Sequence, residues 1–145
     1  MYCYKYPHPA VTADCIVFNR EDHTISVLLI KRKNDPYKDC WAFPGGFINI
    51  DESAEEAAIR ELKEETGLDV SSVKQLKAYS KPDRDPRERV ITIAFIAESK
   101  LKEVKGGDDA KEARWFDILH LPPLAFDHSM ILQDALKSYN YTIGE

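Results

Sequence analysis

Three glutamates stand close together in the segment Arg60-Glu61-Leu62-Lys63-Glu64-Glu65-Thr66. On a helix turning 100° per residue, with Glu61 at zero, Glu65 falls at about 40° and Glu64 at about −60°, so the three carboxylates share an arc of about 100°. Ala58, Ile59 and Leu62 take the neighbouring arc, which must face a core. The acidic arc therefore flanks the packed side. Like charges three and four residues apart each cost an isolated helix about 0.2–0.5 kcal/mol. Arg60 relieves part of this through Glu64, four residues on, but cannot neutralise all three. Such an excess of negative charge beside a core points to a missing cation, and hard divalent ions take carboxylate oxygens. Magnesium fits best, because it keeps several waters and is held by a few carboxylates plus substrate phosphates; manganese is the substitute. The competing reading on helical geometry alone is a solvated face of a Glu/Lys-rich helix.

The helix itself is well marked. Ser53 or Asp51 caps a helix over 53–66, acidic residues crowd its first turn, and Gly67 follows its last. Val11–Phe18 and Thr24–Lys33 read as strands of a hairpin joined by the polar turn Asn19–His23. Asn34–Asp39 is a polar loop, and Trp41–Ile50 is punctuated by Gly and Pro. Val70–Ser80 and Arg89–Ala97 are further strands separated by the charged loop Lys81–Glu88. The second is apolar on both faces and belongs in the middle of a covered sheet. A Gly/Asp-rich loop, Lys105–Lys111, leads to a short strand at Arg114–Phe116. A last helix runs from Asp127, its cap, to Tyr139, with Ile131, Leu132, Ala135, Leu136 and Tyr139 at helical spacing. One α/β domain over 1–145 follows, a mixed β-sheet sandwiched between α-helices.

With 145 residues and a net charge of −5, the chain lacks the dense basic footprint of a nucleic-acid binder, although a bound metal can reverse the local sign of a nucleotide site. No run of residues suits a signal peptide or a membrane span. Three cysteines, Cys3, Cys15 and Cys40, form no ligand or disulfide framework, and reduced thiols in a cytoplasmic protein are expected.

The wider segment Gly46–Leu68 resembles the Nudix box, which is Gly, five residues, Glu, seven residues, then Arg-Glu-aliphatic-any-Glu-Glu-any-Gly-aliphatic. Here it reads Gly46, Glu52, Arg60, Glu61, Leu62, Glu64, Glu65, Gly67, Leu68, without a mismatch. The resemblance implies a Nudix fold and a magnesium-dependent hydrolase that cuts the diphosphate of a nucleoside diphosphate linked to another group. It implies Glu61, Glu65 and Glu64 as metal ligands, with the carbonyl of Gly45 completing the site, and Glu64 as a further ligand or base. Arg60 would orient the glutamates by ion pairing, and Glu52 would brace the turn into the helix or add a metal contact. Gly46, without a Cβ, suits close approach to metal or phosphate.

The segments Tyr79–Val90, Tyr6–Thr12, Gly107–Phe116 and Leu121–His128 resemble the ADP-ribose pyrophosphatase branch of that family, with Glu88 a departure where a small residue is expected. ADP-ribose hydrolysis to AMP and ribose 5-phosphate is the leading expectation, with homodimerisation implied by the same resemblance. Arg84, Arg87 and Arg89 suit bidentate contacts to phosphate or ribose oxygens, and Arg32 a phosphate contact. Tyr4, Tyr6, Phe43 and Phe126 are candidate platforms for adenine. Glu112 and Asp109, then Asp108, lie where some relatives place an extra base or ligand. A solvated or core role competes at each of these positions, and capping or core roles are expected of His120 and His128. Two alternatives remain: hydrolysis of nucleoside triphosphates or dinucleotides, and a non-catalytic module that senses ADP-ribose. Regulators of that second kind carry a DNA-binding winged helix after the Nudix part, for which a chain ending at Glu145 leaves no room.

Overall fold

The computed structural model describes residues 1–107 and 110–143, with side chains described to residue 140. Its centre is β1 (Ala10–Glu21), flanked by β2 (Thr24–Arg32) and β6 (Val90–Glu98). The other elements are β3 (Trp41–Ala42), β4 (Gly45–Phe47), α1 (Ala54–Thr66), β5 (Lys74–Tyr79), β7 (Ala110–Asp117) and α2 (His128–Ile143). The sheet runs β3-β2-β1-β6-β5, with β4 on β1 and β7 on β2. β1 and β6 are parallel, and every other pair is antiparallel. The expected mixed sheet between helices is what the chain forms.

Alternation along the strands sends side chains to two separate cores. Ala13, Cys15, Val17 and Leu28 meet Ala57, Ala58 and Leu62 of α1. Ile16, Phe18, Val27 and Leu29 meet Ile131, Leu132, Ala135 and Tyr139 of α2. β6 serves both, with Phe95 and Ala97 toward α1 and Ala94 toward α2, as its two-sided apolar pattern predicts. Ile59, expected in the core, is only half-buried; Ala57 takes that place. Cys15 is fully buried, and burial pushes its thiol up to about 12. All three cysteines are free thiols. No helix among the described residues is long and apolar enough to cross a membrane.

One topological detail positions the site. β1 pairs with β2 only over Phe18–Glu21 and with β4 over Thr12–Asp14, on the same edge. β2 correspondingly pairs with β1 at its start and with β3 at Ile30–Lys31. The two long strands therefore splay apart like a fork, and residues 41–47 fill the gap, tied in by Cys15 N–H donating to the Pro44 carbonyl at 2.8 Å. A sheet opened in this way leaves a crevice beside its strand ends, where side chains from both layers meet.

Strand bounds differ from the sequence expectation in three main places. β1 runs on to Glu21, into the expected turn Asn19–His23. β5 begins at Lys74, leaving 70–73 outside the strand, and β7 extends over eight residues. Its outer half carries Lys111, Glu112 and Arg114, charges that hide a strand pattern but are tolerated at a sheet edge.

Candidate active site

α1 starts as its sequence dictates. Ser53 accepts from the Glu56 backbone N–H at 3.1 Å, and the Glu56 carboxylate accepts from the Ser53 N–H at 2.9 Å. This reciprocal box satisfies two of the helix's orphan donors. Gly67, at φ 78°, closes the other end with its N–H on the Lys63 carbonyl. Between these caps the acidic arc points into a cleft of about 730 Å³, bordered by Glu61, Glu64 and Glu65 together with Asp14, Gly45 and Gly46.

The three glutamates differ sharply in surroundings. Glu64 is the most exposed, its side chain 42 % accessible, whereas that of Glu61 is 16 % accessible. Glu65 is buried and accepts from the Gly45 N–H at 3.0 Å. Burial pushes the Glu65 carboxyl up to about 9, and the neighbouring Glu61 and Asp14 carboxylates push the same way against the Gly45 hydrogen bond. Arg60 is the hub of the outer side. It clamps Glu52 with its Nε and an Nη at 3.0 and 2.6 Å, and also donates to Glu61 at 2.8 Å, Glu64 at 3.2 Å and the Phe47 carbonyl. Its charge is pinned on by those contacts and holds the Glu52 carboxyl below its usual range. Arg60 makes none of these contacts with Glu65.

Gly46 fits its surroundings for a simple reason: a Cβ there would lie 2.6 Å from a Glu61 carboxylate oxygen. A Cβ on Gly45 would collide with Asp14 and the Ala13 carbonyl. The two glycines let carboxylates lie directly on the backbone of β4.

Asp14 was not singled out by sequence, yet it is the other carboxylate of the cleft floor. It is buried and receives a hydrogen bond from Thr92 Oγ1 at 2.6 Å. Its signal was a lone acid inside the apolar run Val11–Phe18. His128 sits behind it, with Nε2 3.7 Å from Asp14 and Nδ1 accepting from the Phe43 N–H at 3.2 Å. Burial pushes its imidazole below the usual range, so it is neutral at physiological pH, although the Asp14 charge pulls the other way. The expected core role thus holds for His128; His120 is exposed near Asp117, in neither a core nor the cleft.

The substrate candidates divide. Arg32, Arg84, Arg87 and Phe43 border the cleft with the glutamates. Arg84, however, is not an outward-reaching donor: its side chain is 4 % accessible and is held bidentately by Asp127 at 2.8 and 2.9 Å. That also redirects Asp127, whose side chain serves Arg84 while its carbonyl opens α2 by accepting from Met130 and Ile131. Arg87 is half-exposed and gripped along one edge by Asp85 at 2.7 and 3.1 Å. Phe43 is buried and stacked on His128 at 4.8 Å, so its ring belongs to the packed wall. Arg89 lies exposed at the start of β6 and is not among the cleft-lining residues. Tyr4 and Tyr6 are exposed on the segment before β1 and do not border the cleft. Glu112, on β7, is the register partner of Lys31 on β2 and pairs with Arg114 at 2.7 Å, and it too is absent from the cleft wall. Asp108 and Asp109 lie outside the described residues.

The donor set suits a hard divalent cation in type and charge. It consists of oxygens alone, and Glu65 is a buried carboxyl that stays protonated at neutral pH until a positive charge arrives. Among the described residues, no three His, Cys, Asp or Glu side chains already converge as a finished coordination shell. Side-chain rotation and substrate oxygens would complete it, in keeping with the incomplete protein shells that magnesium accepts.

Comparison with known proteins agrees with this geometry. A family model described as NUDIX domain matches residues 8–135. An ADP-ribose pyrophosphatase of Methanocaldococcus jannaschii is 53 % identical over 135 residues, covering 93 % of this chain and 78 % of that protein. An ADPR-responsive transcriptional repressor of Acinetobacter baylyi is 33 % identical, and this chain spans 56 % of its length. Among solved structures, a MutT/nudix family protein from Enterococcus faecalis superposes with a TM-score of 0.88 at 35 % identity, covering 95 % of this chain and 64 % of that one. The NUDIX domain of Shewanella oneidensis NrtR, solved in complex with ADP ribose, superposes with a TM-score of 0.86 at 28 % identity, covering 92 % and 90 %.

Proposed function

The chain belongs to the NUDIX family, and from that premise we propose that it hydrolyses ADP-ribose to AMP and ribose 5-phosphate with the help of a divalent cation. One observation carries the reading: a single cleft gathers the helix glutamates, with their excess negative charge, and the guanidinium groups of Arg32 and Arg87. A diphosphate bridged to a metal is the ligand that satisfies both at once. The 53 % identical relative named ADP-ribose pyrophosphatase and the NrtR complex with ADP ribose support the choice of nucleotide.

The residues that would hold the cation are Glu61, Glu64, Glu65 and the carbonyl of Gly45. Such an ion, magnesium or manganese, would supply charge neutralisation of phosphate oxygens and a water of lowered pKa. Glu64, the most exposed of the three, would serve as a further ligand or take the proton of the attacking water, with Arg60 fixing its direction. Arg60 and Glu52 hold the helix face rigid, so that little reorganisation is left for the transition state. Asp14, against the backbone of Gly45, adds its charge to the floor and pushes the Glu65 carboxyl further toward holding its proton. Water adds to phosphorus, the diphosphate P–O bond breaks, and both products leave as phosphate monoesters.

The test is a nucleotide panel with purified protein and magnesium: ADP-ribose, nucleoside triphosphates, dinucleoside polyphosphates and reduced dinucleotides. ADP-ribose turned over fastest supports the reading, and triphosphates turned over far faster overturn it. ADP-ribose bound tightly but never cleaved would favour the sensor that the 33 % identical repressor suggests. A homodimer in the cytoplasm is the companion proposal. Free thiols support the compartment and resemblance to the branch supports the dimer, and light scattering on the purified protein measures its mass.

A further inference from the structure

Phe126 is out of place by local rules. It has φ 52°, a left-handed backbone conformation that aromatic residues seldom adopt. Both neighbours hold it there. Ala125 is fully buried, with its N–H on the Trp41 carbonyl at 2.8 Å, and Asp127 is locked to Arg84. Strain of this kind persists where surrounding structure over-determines it, and it clusters at ligand sites. What the strained backbone presents to the cleft is an aromatic ring.

Two guanidiniums lie over that ring. The Cζ of Arg32, at the end of β2, lies 4.9 Å from its centroid, and that of Arg87, from the 81–88 loop, lies 5.6 Å away. Tyr37 packs against the ring at 4.8 Å, and Phe47 lies 5.8 Å from the same Arg87 guanidinium. A cation held by a ring face spends none of its N–H donors there. Asp85 occupies the Nε edge of Arg87, and a guanidinium has five N–H groups in all.

We propose that Phe126 is a positioning residue: its ring holds Arg32 and Arg87 together as a two-armed grip for the substrate's diphosphate, on the cleft that also contains the helix carboxylates. The proposal rests on the hydrolase reading and adds to it the residue that fixes substrate anions where the acidic floor alone would repel them. The grip acts on bound substrate, so it sets KM more than kcat.

The experiment replaces Phe126 by phenylalanines of increasing fluorination, which keep the ring's shape while draining and then reversing its negative face. KM for ADP-ribose rises stepwise, by about tenfold at pentafluorophenylalanine, while kcat stays within about threefold and the unfolding midpoint is unchanged. Phe126→Leu shows a comparable rise in KM, and Phe126→Tyr stays within about twofold of wild type. In an Arg87→Gln background the fluorination series becomes shallower and keeps only the part due to Arg32, because one arm is gone. A KM that is level through the series, or a series equally steep without Arg87, overturns the grip. If the nucleotide panel selects another substrate, the ADP-ribose reading falls, and the series run on that substrate still decides the role of Phe126.

Discussion

The carboxylate face of α1 and the arginine loop at 81–88 are both charge clusters on one cleft, but they are balanced in opposite ways. In the loop each cation has its own anion: Arg84 is enclosed with Asp127, and Arg87 is edged by Asp85. Burial favours neither charge alone, yet each pair is satisfied within the chain. On the helix one guanidinium serves Glu52, Glu61 and Glu64, and buried Glu65 has a backbone N–H in place of a cation. The difference separates charges that hold the fold from charges that await a ligand. A pair enclosed on all sides, as Arg84 is with Asp127, is architecture, whereas a floor with too few cations, or a guanidinium such as Arg87 that is only edged by its anion and borders the cleft, is a candidate for ligand contact.

Removing one member of the closed pair gives the largest expected effect. Asp127→Ala leaves the Arg84 guanidinium buried and uncompensated, and costs about 3–5 kcal/mol in urea unfolding. Loss of under 1 kcal/mol would mean that Arg84 reaches solvent readily, and the contrast between the two clusters would blur.

The open cluster responds to pH instead. Glu65 has a folded pKa of about 9, above the ordinary value of 4.5, so the folded state holds a proton that the unfolded chain gives up. Its contribution to stability is complete below about pH 4.5 and declines as pH rises toward 9. The slope for one proton is at most about 1.4 kcal/mol per pH unit. Unfolding in EDTA across that range shows this decline, and Glu65→Gln removes it. Magnesium binding must expel the same proton, so apparent affinity for the metal grows with pH. A wild-type profile that overlays the Glu65→Gln profile would contradict the pairing of burial with an absent cation.

The smallest effect is the control. Lys63 of the same helix and Asp69, just beyond its end, make an exposed ion pair at 2.9 Å off the cleft. Lys63→Ala changes stability by less than about 0.5 kcal/mol and leaves turnover alone, as measured by urea unfolding and steady-state rates. A larger change would show that helix charge in general, and not its position, governs the site.

The helix and its chemistry were legible because they are local. Capping by Ser53, termination at Gly67 and the arc of Glu61, Glu64 and Glu65 all follow from spacing along one element. Gly46 was readable for the same reason, although the atom that excludes a Cβ there belongs to Glu61, fifteen places on. What sequence could not show depends on the fork in the sheet. Asp14 enters the cleft floor only because β1 changes partner from β4 to β2. The partner of Arg84 lies 43 residues away on the approach to α2, and no spacing rule reaches that far. Phe126 had been grouped with other aromatics as a base platform; its backbone angle and flanking guanidiniums exist only in the folded chain.

The proposed hydrolysis requires a buried helix glutamate, Glu65, that works only with a metal. Wild type and Glu65→Gln should therefore be compared for magnesium-dependent ADP-ribose turnover, with unfolding followed in parallel. The expected result is a loss of more than about a hundredfold in kcat, roughly 3 kcal/mol of barrier, while the variant in EDTA at neutral pH is folded and no less stable than wild type. Turnover within a few-fold of wild type would take Glu65 out of the metal site and the acidic floor out of the mechanism.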